Sequence, residues 1–261
     1  MSILNKAEEY LKEGKKFTVV TVAHVQGSAP QAAGAKMIVF QDKSILGTIG
    51  GGEMERAAIQ DAREFMRLGA CGLKEYSLTK EKGMLCGGAM KLFFESFKPR
   101  KKLIIVGAGH IGIALYKIAD MLDFDITVVD NREDFANKER FPKASIKVGK
   151  PQSVLKKIKI DADTFITIAT HNHVFDLVSL KAVVCSDARY IGMIGSRAKI
   201  KENFKRLVKE GISRKVLKKV YTPIGLNLGG NSPAEIAVAI AAQMIAVENG
   251  KLDKLMFEKI L

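Results

Sequence analysis

The chain has 261 residues, 47% of them hydrophobic and 27% charged, with a formal net charge of +14 at pH 7. That apolar content supports real cores in one large or two modest domains. No apolar stretch reaches the ~18–20 residues of a membrane span, and three cysteines without a pairing pattern point to a reducing, cytoplasmic compartment.

The basic balance draws anionic partners such as nucleotides and phosphorylated cofactors. With no helix-turn-helix, zinc finger or aromatic RNA platform in the chain, nucleic acid is not an expected partner. The first residues carry acids and lack a small-residue cleavage site, so a signal peptide is not expected.

From the N-terminus, the pattern predicts a helix over 3–13 and a strand over 17–24, rich in β-branched residues. A small-residue loop over 27–35 leads to a strand at 36–40 and a turn at 41–43. Residues 45–48 run into Gly50-Gly51-Gly52 and Glu53, and a helix follows over 54–68. Three glycines at a helix start can form a nest of backbone N–H groups suited to an anion, with a tight structural corner as the alternative. The Gly-Lys-Ser/Thr ending of a Walker loop is absent. Strands are expected over 74–78 and 90–97. Between them lies Cys86, followed by Gly87 and Gly88. A ligand could reach a thiol placed there, and nearby N–H groups would lower its pKa; a buried, inert thiol is the other reading. Cys71 and Cys185 read as core filler. Residues 1–98 thus form a smaller α+β domain.

Pro99-Arg100-Lys101-Lys102 is the expected junction to a second domain over 99–261. An apolar run from Leu103 to Val106 ends in Gly107-Ala108-Gly109-His110-Ile111-Gly112, then a helical pattern, then a second apolar run closing on Asp130. This is the strand–glycine turn–helix–strand of dinucleotide-binding folds. Gly107 permits the turn, Gly109 lets the backbone approach a diphosphate, and Gly112 allows close packing. The helix start offers N–H groups to phosphates. Asp130 lies about 20 residues on, where an acid is expected to hydrogen-bond a ribose hydroxyl; such an acid favours NAD over NADP, a preference that Arg132 nearby complicates. His110 inside the turn argues against an ordinary dehydrogenase.

Strands near 146–148, 164–169 and 190–194 alternate with helices near 151–158 and 175–186 and with a basic helical stretch over 197–219. The alternation implies a parallel Rossmann-like sheet with ligands beyond the strand C-termini. Thr170-His171-Asn172-His173, with Asp176 just after, follows a strand and so lies at that edge. There the two histidines can contact a ligand, share a metal, or simply order a loop. Ser196, after Gly195, is the expected N-cap of the basic helix. Residues 222–230 add another glycine-rich approach. The final helix opens with Ser232-Pro233-Ala234-Glu235, a capping box. Apolar almost all round, it is expected to pack on the sheet or on a second copy in a homodimer.

Taken together, GSAPQAAGAKMIV, GTIGGGEMER, CGGAM, GAGHIG, ATHNHVFD, YIGMIGSRAK, TPIGLNLGG and SPAEIAVAI, in this order over residues 27–240, resemble the xanthine dehydrogenase accessory factor family of XdhC/CoxI type. The resemblance implies a chaperone, not a catalyst in its own right, that binds molybdenum cofactor (molybdopterin) and protects it during sulfuration. It would then pass the cofactor to a xanthine dehydrogenase-type molybdenum hydroxylase, with a cysteine desulfurase as a further partner. By position, Gly50, Gly51, Gly52 and Glu53 match the family's triple-glycine motif. Cys86 matches its Cys-Gly-Gly cysteine, as a sulfur or molybdenum contact. His110 falls in its glycine loop, and His171 and His173 in its Thr-His-x-His loop. Two other readings stand beside this one. An NAD(P)-dependent oxidoreductase is favoured by the glycine turn and Asp130, although no hydride-transfer set stands out; the third reading is a nucleotide-sensing regulator.

Overall fold

A computed structural model describes residues 2–77 and 88–252. The chain forms two compact units that meet in sequence at Pro99 and Arg100. Among the described residues no helix is long and apolar enough to cross a membrane. Cys86 lies outside the described residues.

The first unit is a five-stranded sheet in the order β3-β2-β1-β5-β4. Its elements are α1 (Ile3–Lys12), β1 (Phe17–Gln26), β2 (Lys36–Phe40), β3 (Ile45–Gly47), α2 (Gly52–Leu68), β4 (Cys71–Ser77) and β5 (Ala89–Phe97). All pairings are antiparallel. The period of two along β1 sorts its side chains. Val20 and Val22 pack with Met37, Phe94 and the α2 residues Met54, Ala58 and Ala62. Phe17 and Val19 face the other way, toward Ala7 of α1. Buried Thr18, on the α2 side, donates its hydroxyl to the Ala62 carbonyl at 2.8 Å.

The second unit is a five-stranded parallel sheet in the order β10-β9-β6-β7-β8. It comprises β6 (Lys102–Val106), α3 (His110–Met121), β7 (Asp125–Asp130), β8 (Ser145–Val148), α4 (Pro151–Leu155), β9 (Thr164–Ile168), α5 (His173–Val183), β10 (Tyr190–Met193), α6 (Arg197–Lys209), α7 (Arg214–Leu217) and α8 (Pro233–Glu248). Both faces are covered, as a parallel sheet of near-continuous apolar strands requires. On one face, Leu103 and Ile105 pack with Leu115 and Ala119 of α3 and Ile240 and Met244 of α8. On the other, Ile104 and Val106 pack with Leu155, Leu180, Ile200, Phe204 and Leu217 from α4 to α7.

Three expectations change. The basic stretch 197–219 is two helices, because Gly211 adopts φ +93° between them and so ends the first. Cys71 and Cys185 are exposed rather than core filler: one opens an edge strand and the other follows the last turn of α5. The final helix is not buried all round, since Val238 and Ile245 remain 51% and 45% exposed. Its other side is the one seated on α3.

Candidate functional site

The parallel sheet reverses its winding between β6 and β9, so the carboxyl ends of these neighbouring strands frame the crevice where open α/β sheets bind ligands. The turn from β6 to α3 forms its floor. Gly107 has φ +115°, and a Cβ there would collide with the Ala169 carbonyl oxygen; a Cβ on Gly112 would collide with the Gly107 carbonyl oxygen. Both glycines are therefore demanded by the fold. Gly109 is not. It caps α3 in an extended conformation (φ −72°, ψ −163°), and nothing lies within 4 Å of where its Cβ would stand. His110 follows as the first, exposed residue of α3.

Asp130 ends β7 and is 2% exposed. Its carboxylate accepts four bonds: from the Ala108 N–H at 2.8 Å, the Arg132 N–H at 3.1 Å, Arg132 Nε at 3.0 Å and Arg132 Nη2 at 2.9 Å. Burial pushes its pKa up, but the bonds from Arg132 and Ala108 outweigh burial and hold it below the ordinary range. A carboxylate has about four acceptor positions, so the expected ribose acceptor is already saturated. Asp130 fastens the glycine turn, and Arg132 lies over the Phe135 ring at 3.8 Å.

The β9–α5 connection brings its own charge chain to the same edge. Asp176, also buried, accepts from the Thr170 N–H at 2.9 Å and the Thr170 hydroxyl at 2.7 Å. Its other oxygen is 3.5 Å from Nδ1 of His173. Burial raises its pKa despite these partners. Nε2 of His173 is 2.8 Å from the Lys199 amine near the start of α6. An ammonium only donates, so the imidazole proton belongs on Nδ1, facing Asp176. His171 is exposed, edge-on to Phe175 with ring centroids 5.5 Å apart. Ser196 is the N-cap of α6, but its side chain makes no capping bond.

In the first unit, the nest expected at the triple glycine exists and has an occupant. Gly50, Gly51 and Gly52 all have positive φ. The N–H groups of Ile49 and Gly51, at 3.0 and 3.2 Å, donate to the Glu55 carboxylate, as does the Thr48 hydroxyl. Burial raises the Glu55 pKa, and these donors more than reverse that. Of the amides predicted to receive an outside anion, that of Gly51 thus already holds one of the chain's own, and that of Gly50 donates to the Thr48 hydroxyl at 3.0 Å. Gly50 packs against Pro30 of the small-residue loop, whereas Glu53 is exposed. Among the described residues no cluster of three or more His, Cys, Asp or Glu is placed to hold a metal ion.

Lys199 and Glu55 are the contributors that residue patterns left without a role, and Arg132, noted there only for its bearing on NAD against NADP, proves to be the partner of Asp130. The signal for Glu55 was available, since an acid in the first turn of a helix behind three glycines is placed to fill its own nest.

Residues 103–244 match the family described as the XdhC Rossmann domain, and residues 10–77 match the XdhC and CoxI family. The chain is 29% identical over 264 aligned residues to YqeB of Escherichia coli (strain K12), described as an uncharacterized protein, covering 99% of this chain and 48% of YqeB. It is 28% identical over 155 residues to a probable xanthine dehydrogenase subunit from Bacillus subtilis (strain 168), covering 59% and 45% of the two chains. It is 22% identical over 299 residues to the molybdenum cofactor insertion chaperone PaoD of Escherichia coli (strain K12), covering 94% and 88%. The chain spans about half the length of the first two relatives.

Proposed function

The chain belongs to the XdhC and CoxI family, and from that premise we propose that it is an accessory protein that binds molybdenum cofactor and delivers it to a xanthine dehydrogenase-type molybdenum hydroxylase. The observation that carries this reading is Gly109. Neither its own backbone nor any neighbour requires a glycine there, so the missing side chain leaves room for a ligand above the first turn of α3. Free helix N–H groups beneath that space suit a phosphate, and molybdenum cofactor carries one on its pterin side chain. The name of PaoD points the same way.

In this reading Gly107 and Gly112 shape the turn, Gly109 admits the phosphate, and Asp130 holds the turn rigid through the Ala108 N–H. His110, His171, His173 and Ser196 line the rim, and the exposed Lys199 adds positive charge beside His173. The triple-glycine loop with Glu53 and the thiol of Cys86 enter on the family resemblance. Cys86 is proposed as the sulfur or molybdenum contact during sulfuration, with a cysteine desulfurase as donor.

The test is purification from cells that make the cofactor, followed by measurement of bound molybdopterin. The wild-type chain should carry it, and Gly109→Val should fold normally yet carry at least tenfold less. A wild-type chain no richer in molybdopterin than a control protein would refute the reading. An NAD(P)-dependent oxidoreductase fits less well, because its ribose acceptor would be the saturated Asp130.

A further inference from the structure

Helices α6 and α7 carry a dense run of one charge: residues 197–219 hold ten lysines and arginines against two glutamates. We propose that their outer face is a docking surface for a partner protein that presents an acidic helix. The choice of a protein rests on the cofactor reading, in which the chain must meet the molecule that receives its ligand. The surface itself rests on charge and geometry.

The fold holds this charge outward. Ile200, Phe204 and Leu207 of α6 and Leu217 of α7 are buried in the apolar cluster on one face of the parallel sheet. Gly211 turns the chain between the two helices at φ +93°, and Ser213 caps α7 by accepting from the Val216 N–H at 3.3 Å. Both helices therefore lie on the same face of the sheet, with their polar residues pointing away from it. Lys201, Lys205 and Lys209 are exposed and stand four residues apart, so they form one row along α6. Arg214, Lys215 and Lys219 extend the positive surface onto and past α7. Because α6 follows β10, it starts at the carboxyl edge of the sheet, where Lys199 reaches His173 at 2.8 Å. A partner seated on this face stands beside the crevice.

Within the chain this charge goes unanswered. Among the described residues, none of Lys201, Lys205, Lys209, Arg214, Lys215 and Lys219 has a hydrogen-bonding or ion-pair partner. The nearby Glu210 is already taken, by Lys181 at 2.6 Å and Arg206 at 3.1 Å. Like charges at four-residue spacing repel and weaken a helix, so the row destabilises the fold and an acidic partner would offset it. Spacing gives the partner its form. Four residues of helix rise about 6 Å, and carboxylates on every fourth residue of a facing helix recur at the same distance. Val208, three residues after Lys205 and 36% exposed, gives such a helix a small apolar contact. Single-stranded nucleic acid asks for aromatic platforms, but Phe204 of α6 is buried. A membrane surface asks for several apolar side chains beside the cations, and Val208 is the one exposed large apolar residue of α6 and α7. Strongly hydrated ammonium groups speed an encounter more than they tighten the complex, as a carrier that must let go requires.

The probe is a fluorescein-labelled helical peptide with glutamate at every fourth position, titrated into the full chain at low salt and read by fluorescence anisotropy. Saturable binding is expected. Lys201→Gln, Lys205→Gln and Lys209→Gln together should weaken it at least fivefold and keep or raise the urea midpoint. Lys98→Gln, Lys117→Gln and Lys147→Gln together, exposed lysines elsewhere on the chain, remove the same formal charge and should change it less than twofold. No saturable binding, or equal weakening by the two sets, overturns the surface. Phosphatidylglycerol vesicles or duplex DNA that lose affinity with the α6 set while the peptide does not would overturn the choice of partner. The α6 set should carry as much molybdopterin as wild type; a loss would assign these lysines to the ligand and overturn docking. Molybdopterin that co-purifies with a chain that ignores the peptide would sink the surface and spare the cofactor reading. Peptide binding without molybdopterin would do the reverse.

Discussion

Alanine substitutions separate the three roles in the β6–α3 turn. At Gly107 and Gly112 a Cβ meets a backbone oxygen, which cannot swing away as a side chain can. Each substitution should cost about 2–3 kcal/mol in urea unfolding, the scale of overpacking and backbone strain. Gly109→Ala should stay within about 0.5 kcal/mol, like a surface change. The two buried carboxylates at this edge should respond oppositely to pH. Asp130 has its pKa lowered on folding, so its contribution is complete above the ordinary carboxylate range and is lost as pH falls through its folded value. The urea midpoint difference between wild type and Asp130→Asn should be constant at neutral pH and shrink below about pH 4. Asp176 has its pKa raised, by burial. Its stability is complete at low pH and declines as pH rises from the ordinary range through the raised value, so Asp176→Asn should be at least as stable as wild type at pH 7. It should nonetheless loosen His173, which it orients. A carboxylate kept at such a cost reads as functional.

Among the elements, α8 shows how a helix can serve the core and a loop together. Ser232 accepts from the Glu235 N–H, and Glu235 answers to the Ser232 N–H. Ser232→Ala should therefore cost about 1 kcal/mol and disturb the 223–231 loop that enters the helix. Gln243→Leu should cost more, about 3 kcal/mol, because it strands the Gly225 N–H and carbonyl and the Tyr190 hydroxyl in the interior, at about 1–3 kcal/mol for each unsatisfied group. Thermal unfolding of the two variants measures the order; an equal or reversed ranking would mean that the loop is not hung from Gln243. The capping box was legible in Ser232-Pro233-Ala234-Glu235 because its partners are three residues apart. Gln243 carried only a weak sign, as a single amide among the apolar residues of that helix, and a buried amide needs partners. Nothing local named Gly225 or Tyr190 as those partners.

For the whole molecule, the formal charge of +14 bears on binding rather than on fold. Lys199 beside His173 adds local positive charge to that general field. Each unit also has its own apolar clusters, with α1 and α2 on opposite faces of the antiparallel sheet and two groups of helices on opposite faces of the parallel one.

The sequence by itself determined the two architectures, the glycine turn with the structural roles of Gly107 and Gly112, and the helix boundaries around capping residues. Each of these is written in residues a few positions apart, where backbone geometry and side-chain period act directly. Only the tertiary structure decided which polar groups are already occupied. Asp130 is filled by Arg132 and Ala108, the glycine nest by Glu55, and Gln243 by residues 18 and 53 positions away. A carboxylate or amide has the same chemistry in any chain, but its availability to a ligand depends on which donors the fold brings within about 3 Å, and spacing along the sequence does not encode that distance.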